Sequence, residues 1–179
     1  MKNKFNQSTF KLTIAAVMAL STAGLNVSAF ASPATSDLAV TANIAMSCSI
    51  STTDISFGAY DAVGAHAAAP LMATGGVSST CTTGASGNIK ISQGLNAAAD
   101  SNDSTPLRRM VASTDPASFL DYEVFSDSGR SVVWENGTGV PYTGTGSAVP
   151  LTVYGSVAAA QTSAVSGSYS DTVTVAINY

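Results

Sequence analysis

The chain has 179 residues, of which 10% are charged; eleven acidic side chains face seven basic ones, for a formal net charge of −4. Two cysteines and one histidine leave too few ligands for a zinc or copper centre. The acidic balance argues against nucleic acid or an anionic membrane surface as a partner.

Residues 1–31 read as a secretory signal. Lys2, Lys4 and Lys11 form a basic start, "LTIAAVMAL" (residues 12–20) is a short apolar run, and "AFA" (residues 29–31) offers the small residues of a cleavage site. Cleavage is expected after Ala31, with Ala29 as the fallback. The run is shorter than the ~20 apolar residues that cross a bilayer, and no later segment approaches that length, so no direct membrane insertion is expected. Without the signal four basic residues face eleven acidic ones, a net charge of −7, on about 148 residues, enough for one domain.

The first mature stretch, "SDLAVTANIAMSCSI" (residues 36–50), places Leu38, Val40, Ala42, Ile44, Met46, Cys48 and Ile50 on one face. Such alternation predicts a strand with one buried face. Further strands are predicted at "DISFGAY" (54–60), "GVSSTC" (76–81), "GNIKISQG" (87–94) and, more polar, "PLRRMVAS" (106–113). "FLDYEVFSDSGRSVVWENGTG" (119–139) reads as a hairpin, with Leu120, Tyr122 and Val124 going out, a turn at "SDSG", and Val132 and Trp134 returning. "AVPLTVYGSV" (148–157) and "SYSDTVTVAINY" (168–179) follow, Pro150 pointing to a strand that starts at a sheet edge. Seven or eight short strands without helical periods imply an all-β sandwich.

Both cysteines, Cys48 and Cys81, lie in the exported region, where an oxidising compartment favours a disulfide, and two cysteines allow one intramolecular pairing. Closing that 33-residue loop contributes about 3–4 kcal/mol on the loop-entropy model. The last strand carries Val173, Val175, Ile177 and Tyr179 on one side, and the sequence ends there. Its far edge is expected to lack a covering strand, which invites another chain.

Together "LDYEVFSDSGRSVVW", "VPLTVYGSV" and the closing "GSYSDTVTVAINY" resemble the spore coat protein U-like domain, a family shared with pilins of archaic chaperone–usher fimbriae. The likeness takes in nearly the whole mature chain, including the alternating stretch, Cys48, Cys81 and Trp134. It implies an immunoglobulin-like sandwich that lacks its final strand. A periplasmic chaperone fills the groove first, and the N-terminal extension of the next subunit then replaces it. Transferred here, residues 32–46 are the donor extension and 47–179 the pilin domain. Leu38, Val40, Ala42 and Ile44 would enter a neighbouring subunit, in a groove edged by Val173, Val175, Ile177 and Tyr179. Head-to-tail contact of this kind makes a filament. The implied partners are neighbouring pilin subunits, a periplasmic chaperone and an outer-membrane usher. The implied place is the surface of a Gram-negative cell, with adhesion and biofilm formation as the outcome. A secreted sandwich that fills its own groove, as a coat or ligand-binding protein, is the alternative.

No cofactor and no enzymatic activity are expected. His66 lies in an Ala-rich loop and reads as solvated; no nucleophile-elbow motif accompanies it. "DSNDST" (100–105) has no EF-hand spacing, and the acceptor patterns at Asn102 and Asn136 are common by chance. Arg108 and Arg109 read as a wet strand edge, and Trp134 as packing rather than a sugar platform.

Overall fold

A computed structural model of the protein describes residues 31–179. The signal read from residues 1–31 therefore lies, Ala31 apart, outside the described residues. The chain divides after Thr41. In the first unit, residues 31–41 form no strand, and Leu38 and Val40 are 88% and 86% exposed.

The second unit, Ala42–Tyr179, contains nine strands and no helix. They are β1 (Cys48–Thr53), β2 (Leu71–Cys81), β3 (Ser86–Ile91), β4 (Arg108–Ala112), β5 (Phe119–Phe125), β6 (Val140–Thr143), β7 (Ala148–Val157), β8 (Tyr169–Ser170) and β9 (Val175–Asn178). Every pairing is antiparallel, in a six-stranded sheet ordered β1-β2-β7-β5-β4-β8 and a three-stranded sheet ordered β6-β3-β9. Alternation in each strand turns one set of side chains between the sheets. Val77, Val124 and Val153 from the large sheet meet Ile89 and Ile91 from the small one, with Trp134 filling the space between. The indole donates to the Ile89 carbonyl at 2.8 Å, so its one polar atom is satisfied at 1% exposure. Cys48 and Cys81 sit directly opposite in the β1–β2 register and are disulfide-bonded, with the Tyr142 hydroxyl against Cys48.

Several sequence expectations shift. The 36–50 stretch is strand only from Cys48; Ile44 is 83% exposed. Residues 54–60 alternate as predicted but pair with no strand, because Ile55 and Phe57 lie flat on the inner face of the large sheet instead of joining its edge. The hairpin keeps its turn, yet its return arm is reduced to one bridge, Phe125 to Val133. Asp127 holds that turn through the Ser131 and Val132 amides, and Arg130 adopts φ 53° in it. The 168–179 stretch is two strands in different sheets, β8 on β4 and β9 on β3, with the chain crossing between them. β6 and the first half of β2 carried no clear alternation and were missed. Pro150 is the third residue of β7, an interior strand of the large sheet rather than an edge strand; β5 pairs only with Tyr154–Val157, so Pro150 pairs with Ser78 alone.

Arg108 and Arg109 are not a wet edge. Arg108 is 1% exposed and its guanidinium donates to the carbonyls of Ser92 (2.9 Å), Ile91 (3.0 Å) and Trp134 (2.8 Å) and to the Glu123 carboxylate. It ties β4 of the large sheet to the end of β3 in the small one. Arg109 donates to the Asn96 and Ala97 carbonyls and stacks over Phe119 at 4.0 Å. Nor is His66 simply solvated. Its Nδ1 accepts from the Asp61 amide at 3.0 Å, its ring stacks on Tyr60, and its carbonyl takes the Ala160 amide.

Candidate functional site

Among the described residues β1 pairs only with β2, and β9 only with β3. Each therefore shows one unpaired edge, and the two lie at the same side of the sandwich. Between the end of β1 and the start of β9 opens a cavity of about 430 Å³, lined by Ile55, Val77, Ile91, Val153, Val173 and Val175 among others. A second cavity, of about 940 Å³, continues beneath Tyr60 and Val63 to Leu71, Leu120, Val157 and Val165. Asp54, Ile55, Phe57, Met110 and Tyr169 line both, so the two are lobes of one groove, of mixed apolar and polar lining, that meet at this waist.

The waist follows from two glycines. Gly75 of β2 and Gly155 of β7 both face inward. A Cβ on Gly155 would meet the Phe57 ring at 2.8 Å, and one on Gly75 would meet Ile55 at 2.6 Å. Their missing side chains make the depression in which Ile55 and Phe57 rest, and Phe57 meets Tyr122 edge-on at 6.2 Å between centroids.

The other wall is fixed by the closing motif. Asp171 accepts from the Leu95 and Asn96 amides, the Asn96 side chain and the Tyr122 hydroxyl, the last at 2.7 Å. Burial, then this bond to a carboxylate, pushes the Tyr122 hydroxyl well above its ordinary pKa, so it stays a proton donor. Tyr169 bonds Ser118 and the Val165 carbonyl. These bonds turn the chain from β8 into β9 and set Val173 and Val175 on the groove.

Of the residues named from the sequence, Val173 and Val175 line the groove; Ile177 packs on the core, and Tyr179, beyond β9, is 54% exposed. Leu38, Val40, Ala42 and Ile44 are exposed. Sequence reasoning missed Phe57, Met110, Tyr122 and Asp171 as parts of this surface. The alternation in "DISFGAY" was the available signal for Phe57, and the Asp of the closing motif for Asp171. Among the described residues no group of three His, Cys, Asp or Glu is placed to hold a metal.

Comparison with known proteins agrees with this architecture. The Spore Coat Protein U domain model matches residues 34–176. Protein U of Myxococcus xanthus is 39% identical over 182 residues, covering 96% of this chain and 99% of that protein. Among solved structures, the chain resembles one in the CsuC–CsuE chaperone–tip adhesion subunit pre-assembly complex of the archaic chaperone-usher Csu pili of Acinetobacter baumannii. The TM-score is 0.50 at 20% identity, over 76% of this chain. It spans 40% of that chain's length, and at this identity the likeness is one of fold. The match over residues 34–176, together with the full-length relative, places the chain in the Spore Coat Protein U domain family.

Proposed function

We propose that the protein is a structural subunit of a surface fimbria, exported through the periplasm and polymerised by donor-strand exchange. The observation that carries this is the groove, lined in part by Ile55, Val77, Ile91, Val173 and Val175 and flanked by two unpaired strand edges, in a chain whose N-terminal extension alternates apolar side chains and leaves them exposed. An extended strand laid along β9 would satisfy its open backbone edge and seat every second side chain in the groove. Leu38, Val40, Ala42 and Ile44 from the next copy are the donor set. Burying them yields roughly 5–8 kcal/mol gross at ~0.8 kcal/mol per methylene, and a ladder of about eight to ten backbone bonds adds about 0.5–1.5 kcal/mol each before ordering is subtracted.

Before assembly the groove needs a temporary occupant. The fold likeness to a chain from a chaperone–subunit complex supports a periplasmic chaperone in that role, with an outer-membrane usher as the site of exchange. Adhesion and biofilm formation follow from a fibre of this kind, which requires no cofactor or catalysis. A secreted sandwich that fills its own groove, as a coat or ligand-binding protein, is the second reading, and the family's description supports its coat form.

Shearing the producing cells and comparing unheated with boiled samples on a denaturing gel decides between them. A ladder that collapses to one band near the mature mass only on boiling supports the fimbrial reading, and deletion of residues 32–46 then abolishes the ladder without stopping export. A single monomer band in both lanes from cells that export the protein sinks that reading and favours the coat.

A further inference from the structure

The geometry points to the register of the exchanged strand: Ala42 of one subunit crosses the waist of the next subunit's groove, over Phe57, with the larger donor side chains in the lobes to either side. This rests on the donor-strand reading above and goes beyond it by naming the pair in contact. The waist is where Asp54, Ile55, Phe57, Met110 and Tyr169 line both lobes, of about 430 and 940 Å³. Phe57 cannot sink further, because its ring already rests at close range on Gly155 and stands edge-on to Tyr122. The inward set of the extension runs Leu38, Val40, Ala42, Ile44, Met46. Two large residues precede the one small residue and two follow it, spaced about 6.6 Å apart along a strand. Large–small–large on the donor meets lobe–waist–lobe on the acceptor in a single register. A shift by two residues sets Val40 or Ile44 against Phe57, and the overpacking disfavours it.

The test is a size swap in full-length chains expressed in cells that assemble the wild type, read as the boiling-sensitive ladder. Ala42→Leu is expected to cut the polymer at least ten-fold with the exported monomer level unchanged, while Val40→Leu, directed into a lobe, polymerises normally. Phe57→Leu alone keeps the ladder, and Ala42→Leu combined with Phe57→Leu restores it. An Ala42→Leu chain that polymerises like the wild type overturns the register. So does failure of the double variant where Phe57→Leu alone assembles. Should Phe57→Leu not be exported, the pairing is read instead from Ala42→Cys with Phe57→Cys. Those chains should give a boiled, non-reduced ladder that reductant dissolves, and Thr41→Cys with Phe57→Cys should give none; equal cross-linking overturns the proposal. A wild type that forms no ladder removes the donor-strand reading itself, a distinguishable result.

Discussion

Replacing Arg108 by Met should be among the most damaging single changes available in the second unit. The guanidinium is buried, and four acceptors depend on it: three carbonyls, two at the end of β3 and one in the Trp134 strand remnant, and the Glu123 carboxylate of β5. Met keeps most of the volume, so packing loss is small and the effect isolates the polar network. Breaking a buried pair on one side costs about 3–5 kcal/mol, because the partner charge stays desolvated. For a domain of this size that lowers the melting temperature by on the order of 10 °C. The sign of the pH dependence sharpens the test. Burial raises the Glu123 pKa, and Arg108 opposes that rise; removing Arg108 raises it further. A carboxyl whose folded pKa lies above its unfolded one binds more protons when folded, so its stabilising share is present at low pH and lost as pH climbs through the folded value. The Arg108→Met deficit should therefore be smaller near pH 5 than near pH 7.5, and Arg108→Met with Glu123→Gln should recover part of it. Denaturant unfolding followed by the fluorescence of Trp134, the sole tryptophan, measures all three. A single variant within about 0.5 kcal/mol of wild type, the scatter of ordinary surface changes, would refute the reasoning, as would a double variant no better than the single.

Other expectations are more local. On the fimbrial reading, charge at the proposed inward donor positions, Val40→Asp or Ile44→Asp, should block assembly far more than Thr41→Asp or Asn43→Asp; equal loss on both faces counts against an alternating donor. Gly155→Val should lower stability by about 1–3 kcal/mol through the Phe57 contact at 2.8 Å, measured by thermal melting, whereas Gly84→Ala, which meets nothing within 4 Å, should cost only the strain of its positive φ. Acid should weaken the turns. Asp127 is held below its usual pKa chiefly by the Val132 amide. Glu135, though partly desolvated, is held low by the Thr138, Gly139 and Gly137 amides together. Depressed carboxyls give stability that is present above about pH 4 and lost below it, so a melting profile flat from pH 6 down to 3 would contradict these bonds.

The strands that alternate cleanly, β3, β5 and β7, were legible from spacing, and the cysteine pairing from there being two cysteines, both in the region read as exported. Errors gathered where side chains act across the layers rather than within a strand. The alternation of Ile55 and Phe57 was real, but periodicity reports a buried face and says nothing of which backbone partner is present. Arg108 shows the same limit from the polar side. In one dimension two adjacent arginines on a polar strand look solvated, and only the sheet-to-sheet distance reveals three carbonyls waiting for one of them. The candidate groove was half legible: its β9 wall lay in the closing motif, while its lining by Val77, Val153 and Met110 comes from strands distant in sequence.

An open groove also raises the question of what keeps it open, since two sheets flanking an apolar gap gain by closing over it. Contacts between apolar side chains are non-directional and would let β9 slide inward. Buried hydrogen bonds are directional, and each one broken without a substitute costs roughly 1–3 kcal/mol. The walls of this groove are held by directional bonds of this kind, part-buried for the most part. Asp171 anchors the approach to β9 on the Leu95 and Asn96 amides and on Tyr122, and Arg108 fixes the end of β3, which carries β9, against β4. Sliding β9 into the gap would strain both sets at once. On the fimbrial reading, the polar residues of the closing motif hold the walls at the spacing of a strand that has yet to arrive. Asp171→Ala should then lower donor-strand uptake, read as the boiling-sensitive ladder, by more than its effect on the stability of Trp134 and its surroundings accounts for. Parallel losses in the two would assign Asp171 to the core alone.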